Sequence, residues 1–539
     1  MICSPKTLRA VLACAFVASA PMAHAALTKP VKTTKGLVQG APSASKGIEV
    51  FKGIAFGQAP VGALRWHAPV PVKAWKGLFK ATKFGDACLQ PHGKGRPNIT
   101  VDEPDSPAMS ENCLNLNVWT GAKKAGEKRP VMVWIYGGAY TEGGGSTIAY
   151  DGNNLAKKGA VVVTMNYRLG TLGFLSHPEL TKESGHNASG NYALMDSIAV
   201  LKWIKANIAQ FGGDPNKVTI MGQSAGACMV AALAGSPQAK GLFQRAVSES
   251  GAWSGLSVAK MQTLDAAEKA TVAAADKLGV HSLKEMRALS GDDALTKLGR
   301  ANMIIDGWVI PEDLTKTFAE GRQNKVDVLT GNNGNEGGFG GGFGGRGPPI
   351  TAATWKSGAE QRWGSAAALG LAAYPGTTDD EAKADSGKPF TDNMAFLQRL
   401  FATSQAKIGK HAWLYQFTHN PPYPEGKPMN GPTHATEVAY VFNNLEKPHL
   451  FPDGADPALA AKNPADVALA DQMSSYWVNF ARTGNPNGKG LPTWPEVNDM
   501  PAGDAMLLND PTHPGVALTP EKLALYQALY ERDFPPATR

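Results

Sequence analysis

The sequence predicts an α/β fold, a mostly parallel, doubly wound sheet with helical insertions over its carboxyl edge. Three observations lead there. Apolar, β-branched runs such as Val131-Met132-Val133-Trp134-Ile135-Tyr136 and Val161-Val162-Val163-Thr164-Met165-Asn166-Tyr167 have the composition of strands buried on both faces. Between them and the run Val218-Thr219-Ile220-Met221, the residues Leu194, Ile198, Leu201, Ile204, Ile208 and Phe211 recur at helical spacing, and Gly212-Gly213 stops the pattern. With 539 residues, 43% apolar and 18% charged, the chain can bury the core that such a sheet needs.

The chain opens with the pattern of an export signal. Lys6 and Arg9 supply positive charge, Leu8 to Ala20 an apolar run, and Ala23-His24-Ala25 a small-residue cleavage site. Cleavage after Ala25 leaves one domain, 26–539, secreted or periplasmic. The run is short for a bilayer span, the apolar stretch before Cys14 is too brief for a lipid-modified cysteine, and no later segment reads as a span. Losing Lys6 and Arg9 takes the basic count from 53 to 51 against 46 acids, a net charge of about +5. No Lys/Arg run stands out, so a nucleic-acid partner is not indicated. Cys88, Cys113 and Cys228 remain after cleavage. Export permits a disulfide, for which Cys88 and Cys113 are the local pair, while Cys228 reads as a buried thiol. The spacings match no zinc pattern.

Short strands broken by Gly and Pro follow, including 36–40 and 50–56, then a polar loop enclosed by Cys88 and Cys113, then strands at 114–119, 131–136 and 161–167. Later strands are expected at 246–247, 326–330 and 413–417. The Ala-, Lys-, Leu- and Glu-rich stretch around 258–322, and 350–410, read as inserted, lid-like helices. Gly337 to Pro349 is of low complexity and reads as a surface loop.

Gly222-Gln223-Ser224-Ala225-Gly226 lies between an apolar strand pattern and the small-residue helical pattern Ala227 to Ala234. A G-x-S-x-G sequence in that setting is a nucleophile elbow, with Ser224 as nucleophile. The turn Gly137-Gly138-Ala139-Tyr140 follows a buried strand and offers backbone N–H groups with few side chains around them. Gly138 and Ala139, with the N–H of Ala225, are the candidate oxyanion hole for a tetrahedral intermediate. Such elbows take their partners in the order Ser, acid, His. Glu336 is the candidate acid, just past a strand end in Gly331-Asn332-Asn333-Gly334-Asn335-Glu336-Gly337. His434 is the candidate base, with His411, His419 and His449 also following the acid, and Glu437 reads as a structural partner.

These motifs resemble the type-B carboxylesterases, which include the cholinesterases, of the α/β-hydrolase fold. The resemblance runs nearly end to end, through Phe51-Lys52-Gly53-Ile54, Leu64-Arg65-Trp66, 110–118, Trp134 to Ala139, Asn166-Tyr167-Arg168-Leu169-Gly170, Phe211-Gly212-Gly213-Asp214-Pro215, the elbow, Asn335-Glu336-Gly337, His434 with Tyr440-Val441-Phe442, and Trp477-Val478-Asn479-Phe480-Ala481. It implies the triad Ser224, Glu336 and His434, oxyanion donors at Gly138, Ala139 and Ala225, a Cys88–Cys113 disulfide, and no cofactor or metal. Cholinesterases carry Glu before the serine and a Trp in the disulfide loop to hold a quaternary ammonium. This chain has Gln223 and no Trp between Cys88 and Cys113, which disfavours a choline ester. Ala55-Phe56-Gly57 also departs from the family's frequent Pro-Tyr-Ala.

The expectation is therefore a serine esterase acting on a small-molecule ester through an acyl-enzyme. Bacterial relatives of this type include fumonisin carboxylesterases, whose tricarballylate groups are anionic and would suit basic residues at Lys94, Arg96 or Arg346. The alternatives are a catalytically silent adhesion module of the same fold and a transacylase. The intact Ser224, Glu336 and His434 argue against the first.

Overall fold

The computed structural model describes residues 29–91, 106–253, 260–338, 350–427, 429–447 and 454–535, with residues 1, 27 and 255. The export signal expected over 1–25, apart from residue 1, lies outside them. So do Lys94, Arg96, Arg346, His449 and most of the glycine-rich 337–349 segment.

Eleven strands form the central sheet. In chain order they are β1 (Ala41–Pro42), β2 (Glu49–Ala55), β3 (Asn115–Thr120), β4 (Arg129–Ile135), β5 (Val161–Met165), β6 (Gly213–Gln223), β7 (Arg245–Glu249), β8 (Asp327–Asn333), β9 (Ala412–Phe417), β10 (Asp504–Leu508) and β11 (His513–Val516). Across the sheet the order is β11-β10-β9-β8-β7-β6-β4-β5-β3-β2-β1. Every pairing from β5 to β10 is parallel. The strands outside that block pair antiparallel.

A parallel block is stable only with both faces covered, and its strands show this. All of β5 is buried, and so is β4 after Arg129. The helix read from the 3.6-residue pattern is α1 (Tyr192–Asn207), continued by a tight turn to Phe211 and stopped at Gly212 in the left-handed region, φ 83°. It packs on β6. Helix α2 (Ala225–Gly235) is buried along its whole length against β4, β6 and β7, which its Ala- and Val-rich sequence allows. Helix α3 (Lys388–Lys407) packs on β8 and β9, and α5 (Pro464–Thr483) on β4 and β6, while α4 (Val438–Val441) packs against α5. Further helices occupy 264–276, 283–288, 291–297 and 314–319, and four more lie between 352 and 386.

Two strand readings shift. β5 ends at Met165 because Asn166 turns away, its side chain accepting from Gly145 N (2.8 Å) and donating to Asp86 O (3.0 Å). β10 and β11 extend the sheet beyond the last strand read from sequence. β11 contains Pro514 and lies at the edge, where a missing ladder donor costs least.

The strand order reverses at β4. β5 lies on one side of it and β6 on the other. Open α/β sheets bind ligands beyond the carboxyl ends of strands at such a switch point. Here those ends lead into Gly137-Gly138-Ala139 and Ser224, brought level by the register Ile135↔Gly222.

Candidate active site

Ser224 stands between β6 and α2 at φ 57°, ψ −126°, a conformation that costs a non-glycine residue roughly 1–3 kcal/mol. The surroundings hold it there. Its N–H donates to Glu249 O (2.9 Å), and its carbonyl accepts from Cys228 N (3.0 Å). The two motif glycines are required by close approach. A Cβ on Gly222 would lie 2.5 Å from Ile135 O, and one on Gly226 would lie 2.0 Å from it. The side chain is thus thrust to the mouth of the switch point, with Ser224 8% exposed. Burial pushes the Cys228 thiol up to about 12, so it stays an inert neutral neighbour.

The turn after β4 lies against this elbow, since a Cβ on Gly137 would come within 2.9 Å of Ser224 Cβ. Gly138 adopts φ 109°, and there a side chain would strike Glu142 O at 2.1 Å. Ala139 and Tyr140 also have positive φ, 52° and 63°. The turn closes through Gly138 O, which accepts from Thr141 N (2.9 Å) and Glu142 N (3.1 Å). Among the described residues, no hydrogen bond takes up the N–H of Gly138 or Ala139. Ala225 N–H, at the first position of α2, has no acceptor within the helix. The Cys88–Cys113 disulfide is present, and Gln90 ties its segment to the turn, donating to Gly143 O (3.0 Å) and accepting from Gly143 N (2.8 Å).

Glu336 and His434 meet from loops that are stitched together. Asn335 N donates to Pro432 O (3.1 Å), and Asn333 Nδ2 to Thr433 O (2.6 Å). Glu336, 1% exposed, accepts from Ser250 Oγ (2.6 Å) and Asn333 N (2.7 Å) on Oε1, and from His434 Nδ1 (2.6 Å) on Oε2. A carboxylate at Nδ1 places the proton there and leaves Nε2 basic. Gln223, the residue before Ser224, reaches that Nε2 with its side-chain amide nitrogen at 3.2 Å. The other histidines have other partners, His411 facing Glu496 (2.9 Å) and His419 facing Asp466 (2.9 Å).

Two further carboxylates lie buried beside this pair. Glu437 accepts from Asn333 Nδ2, and Glu249 from Trp477 Nε1 (2.7 Å). Burial, with Glu336 adding repulsion, pushes Glu437 up to about 7, and burial with Glu437 holds Glu249 well above the usual carboxylate range. Burial alone would lower the His434 imidazole, but Glu336 and Glu437 outweigh it and raise it. Ser250, Asn333 and Glu249 gave no signal in the sequence. Gln223 stood out only as a departure from the cholinesterases.

The sequence matches the carboxylesterase family over residues 28–522. The chain belongs to that family. Among relatives of this carboxylesterase, the fumonisin B1 esterase of Sphingopyxis macrogoltabida is 34% identical over 490 residues, 87% of this chain and 86% of that one. The para-nitrobenzyl esterase of Bacillus subtilis is 32% identical, covering 88% and 94%. Among solved structures, a PNB esterase superposes with a TM-score of 0.77 at 30% identity, over 93% of this chain and 99% of the other. A carboxylesterase of Geobacillus stearothermophilus gives 0.74 at 29%, over 92% and 99%. The sheet described above is the α/β-hydrolase fold, and the esterase is a serine carboxylic ester hydrolase.

Proposed function

We propose that the esterase works through an acyl-enzyme on Ser224. His434 Nε2 takes the hydroxyl proton as Oγ attacks the ester carbonyl, and the N–H groups of Gly138, Ala139 and Ala225 bind the oxygen that becomes negative. The imidazolium then returns its proton to the departing alcohol, and water repeats the sequence on the acyl-enzyme. Glu336 fixes the tautomer and stabilises the charged ring. The observation that carries this reading is the 2.6 Å bond from His434 Nδ1 to a carboxylate that Ser250 and Asn333 already hold in place. The disulfide and the leader pattern support work outside the cytoplasm, as one 26–539 domain.

For the substrate, we propose a small-molecule ester with a polycarboxylate acyl group. The reading rests on the similarity to the fumonisin B1 esterase and on the basic residues Lys94 and Arg96 between Cys88 and Cys113 and Arg346 after Glu336 in sequence.

One experiment tests both parts. Ser224→Ala is expected to lose at least about 1,000-fold in kcat on p-nitrophenyl and tricarballylate esters alike and to resist labelling by a fluorophosphonate. Activity within tenfold of wild type overturns the mechanism. Equal or better wild-type turnover of a neutral short-chain ester than of the tricarballylate ester overturns the substrate class.

A further inference from the structure

The Gln223 side chain reaches the basic nitrogen of His434. Its Nδ1 is bonded to the Glu336 carboxylate and carries the proton, so Nε2 presents only a lone pair and the group 3.2 Å away must donate to it. That group is the Gln223 side-chain NH2. The other end of the same amide, Gln223 Oε1, lies over Gly137, 3.1 Å from where a Cβ would stand. Gly137, lacking a side chain, thus leaves room for the amide carbonyl while the amino group meets the imidazole. Gln223 is 5% exposed and closes β6 beside the nucleophile, with its backbone paired to Glu249.

We propose that Gln223 is a positioning residue for the base, pinning the His434 ring at Nε2 as Glu336 pins it at Nδ1 and making the resting imidazole harder to protonate. A hydrogen bond donated to the neutral ring's lone pair favours the neutral form, opposing the two carboxylates that favour the charged one. When Ser224 gives up its proton, Nε2 becomes a donor. The Gln223 amino group then faces it unfavourably, which drives the new N–H toward the leaving oxygen. The charged and titratable groups around the ring are Glu336 past β8, Glu437 on the ring's own loop and Glu249 at the end of β7, coupled to Glu437. Gln223 is the neutral member that weakens their pull.

The inference rests on the mechanism proposed above and is tested by pH profiles. kcat/KM for p-nitrophenyl acetate is measured from pH 4.5 to 9 for wild type, Gln223→Leu, Gln223→Asn and Gln223→Glu, with Ser224→Ala alongside. Gln223→Leu keeps the shape and removes the donor, and its acid limb is expected to move up by about half a unit to one unit, with the alkaline plateau within about tenfold of wild type. Gln223→Asn keeps an amide one methylene too short and should follow Gln223→Leu. Gln223→Glu places an acceptor at Nε2 and should move the limb further up than either. Should one variant not fold, judged by its thermal midpoint, the other two decide. Wild-type limbs in the folded variants overturn the inference while an inactive Ser224→Ala leaves the mechanism standing, whereas an active Ser224→Ala identifies the mechanism as what failed.

Discussion

Glu437 shows how much of this site's behaviour lies in a single proton. It is linked to the Glu336 turn through Asn333 and raises the His434 imidazole by its charge. Glu437→Gln keeps an acceptor for Asn333 and removes that charge, so the imidazole should become easier to deprotonate. The acid limb of kcat/KM is expected to fall by about half a unit, because a weaker base is already neutral at lower pH. A limb that stays or rises contradicts this coupling. Ser224, Glu336 and His434 could be nominated from the sequence because their motifs carry a fixed order, and among the described histidines His434 is set apart from His411 and His419 by its contact with Glu336. The residues that set the charge balance were not legible. Glu249 and Ser250 lie at the end of β7 and Asn333 at the end of β8 with no local pattern, and the pairing of β7 with β8 brings Ser250 and Asn333 to the Glu336 carboxylate.

The strand, turn and helix that carry Ser224 are the element where sequence and geometry agree most closely. The apolar run, the two glycines and the small-residue helix each answer a steric demand, and Gly226 answers the tightest. Gly226→Ala would put a methyl 2.0 Å from Ile135 O, a backbone atom that moves only if β4 or α2 moves. Overpacking of this kind costs roughly 1–3 kcal/mol, and displacing Ser224, the proposed nucleophile, by about 1 Å costs about 100-fold in rate. The variant is expected to show both, read by its urea midpoint and its p-nitrophenyl acetate turnover. Wild-type values in both would mean that the close approach is relieved without cost. The buried strands β4, β5 and β6 were readable for the same reason as the elbow, their composition being dictated by cover on both faces. The edge strand β11 and its neighbour β10 were not. β11 is mostly exposed and carries Pro514 and Gly515, so what makes it a strand is the neighbour it pairs with rather than its own residues.

For the molecule as a whole, the buried acids tie the site to global stability. Glu249 and Glu437 join β7, the Asn333 end of β8, the start of α4 and, through Trp477, helix α5, so unfolding releases both to water. Each has a folded-state pKa above its unfolded value, so the native state holds more protons than the unfolded chain once pH passes the ordinary carboxylate range. By linkage, the stability they contribute is fully present below about pH 4.5 and is lost as pH rises, for Glu437 through about 7. The raised His434 and Asp306 act in the same direction, while His177, lowered by burial, opposes them. The carboxylates held low by arginine, lysine or backbone partners, such as Glu312 and Asp293, keep their full contribution across this window and lose it only at more acidic pH, which leaves the change here to the buried group. The thermal midpoint is therefore expected to fall between pH 5.5 and 8, and Glu437→Gln to flatten that fall by removing one of the protons lost. A midpoint profile of Glu437→Gln that runs parallel to wild type would show that Glu437 titrates alike in the folded and unfolded chains, and the account of a buried acid whose proton is held to higher pH beside Glu336 and His434 would fail.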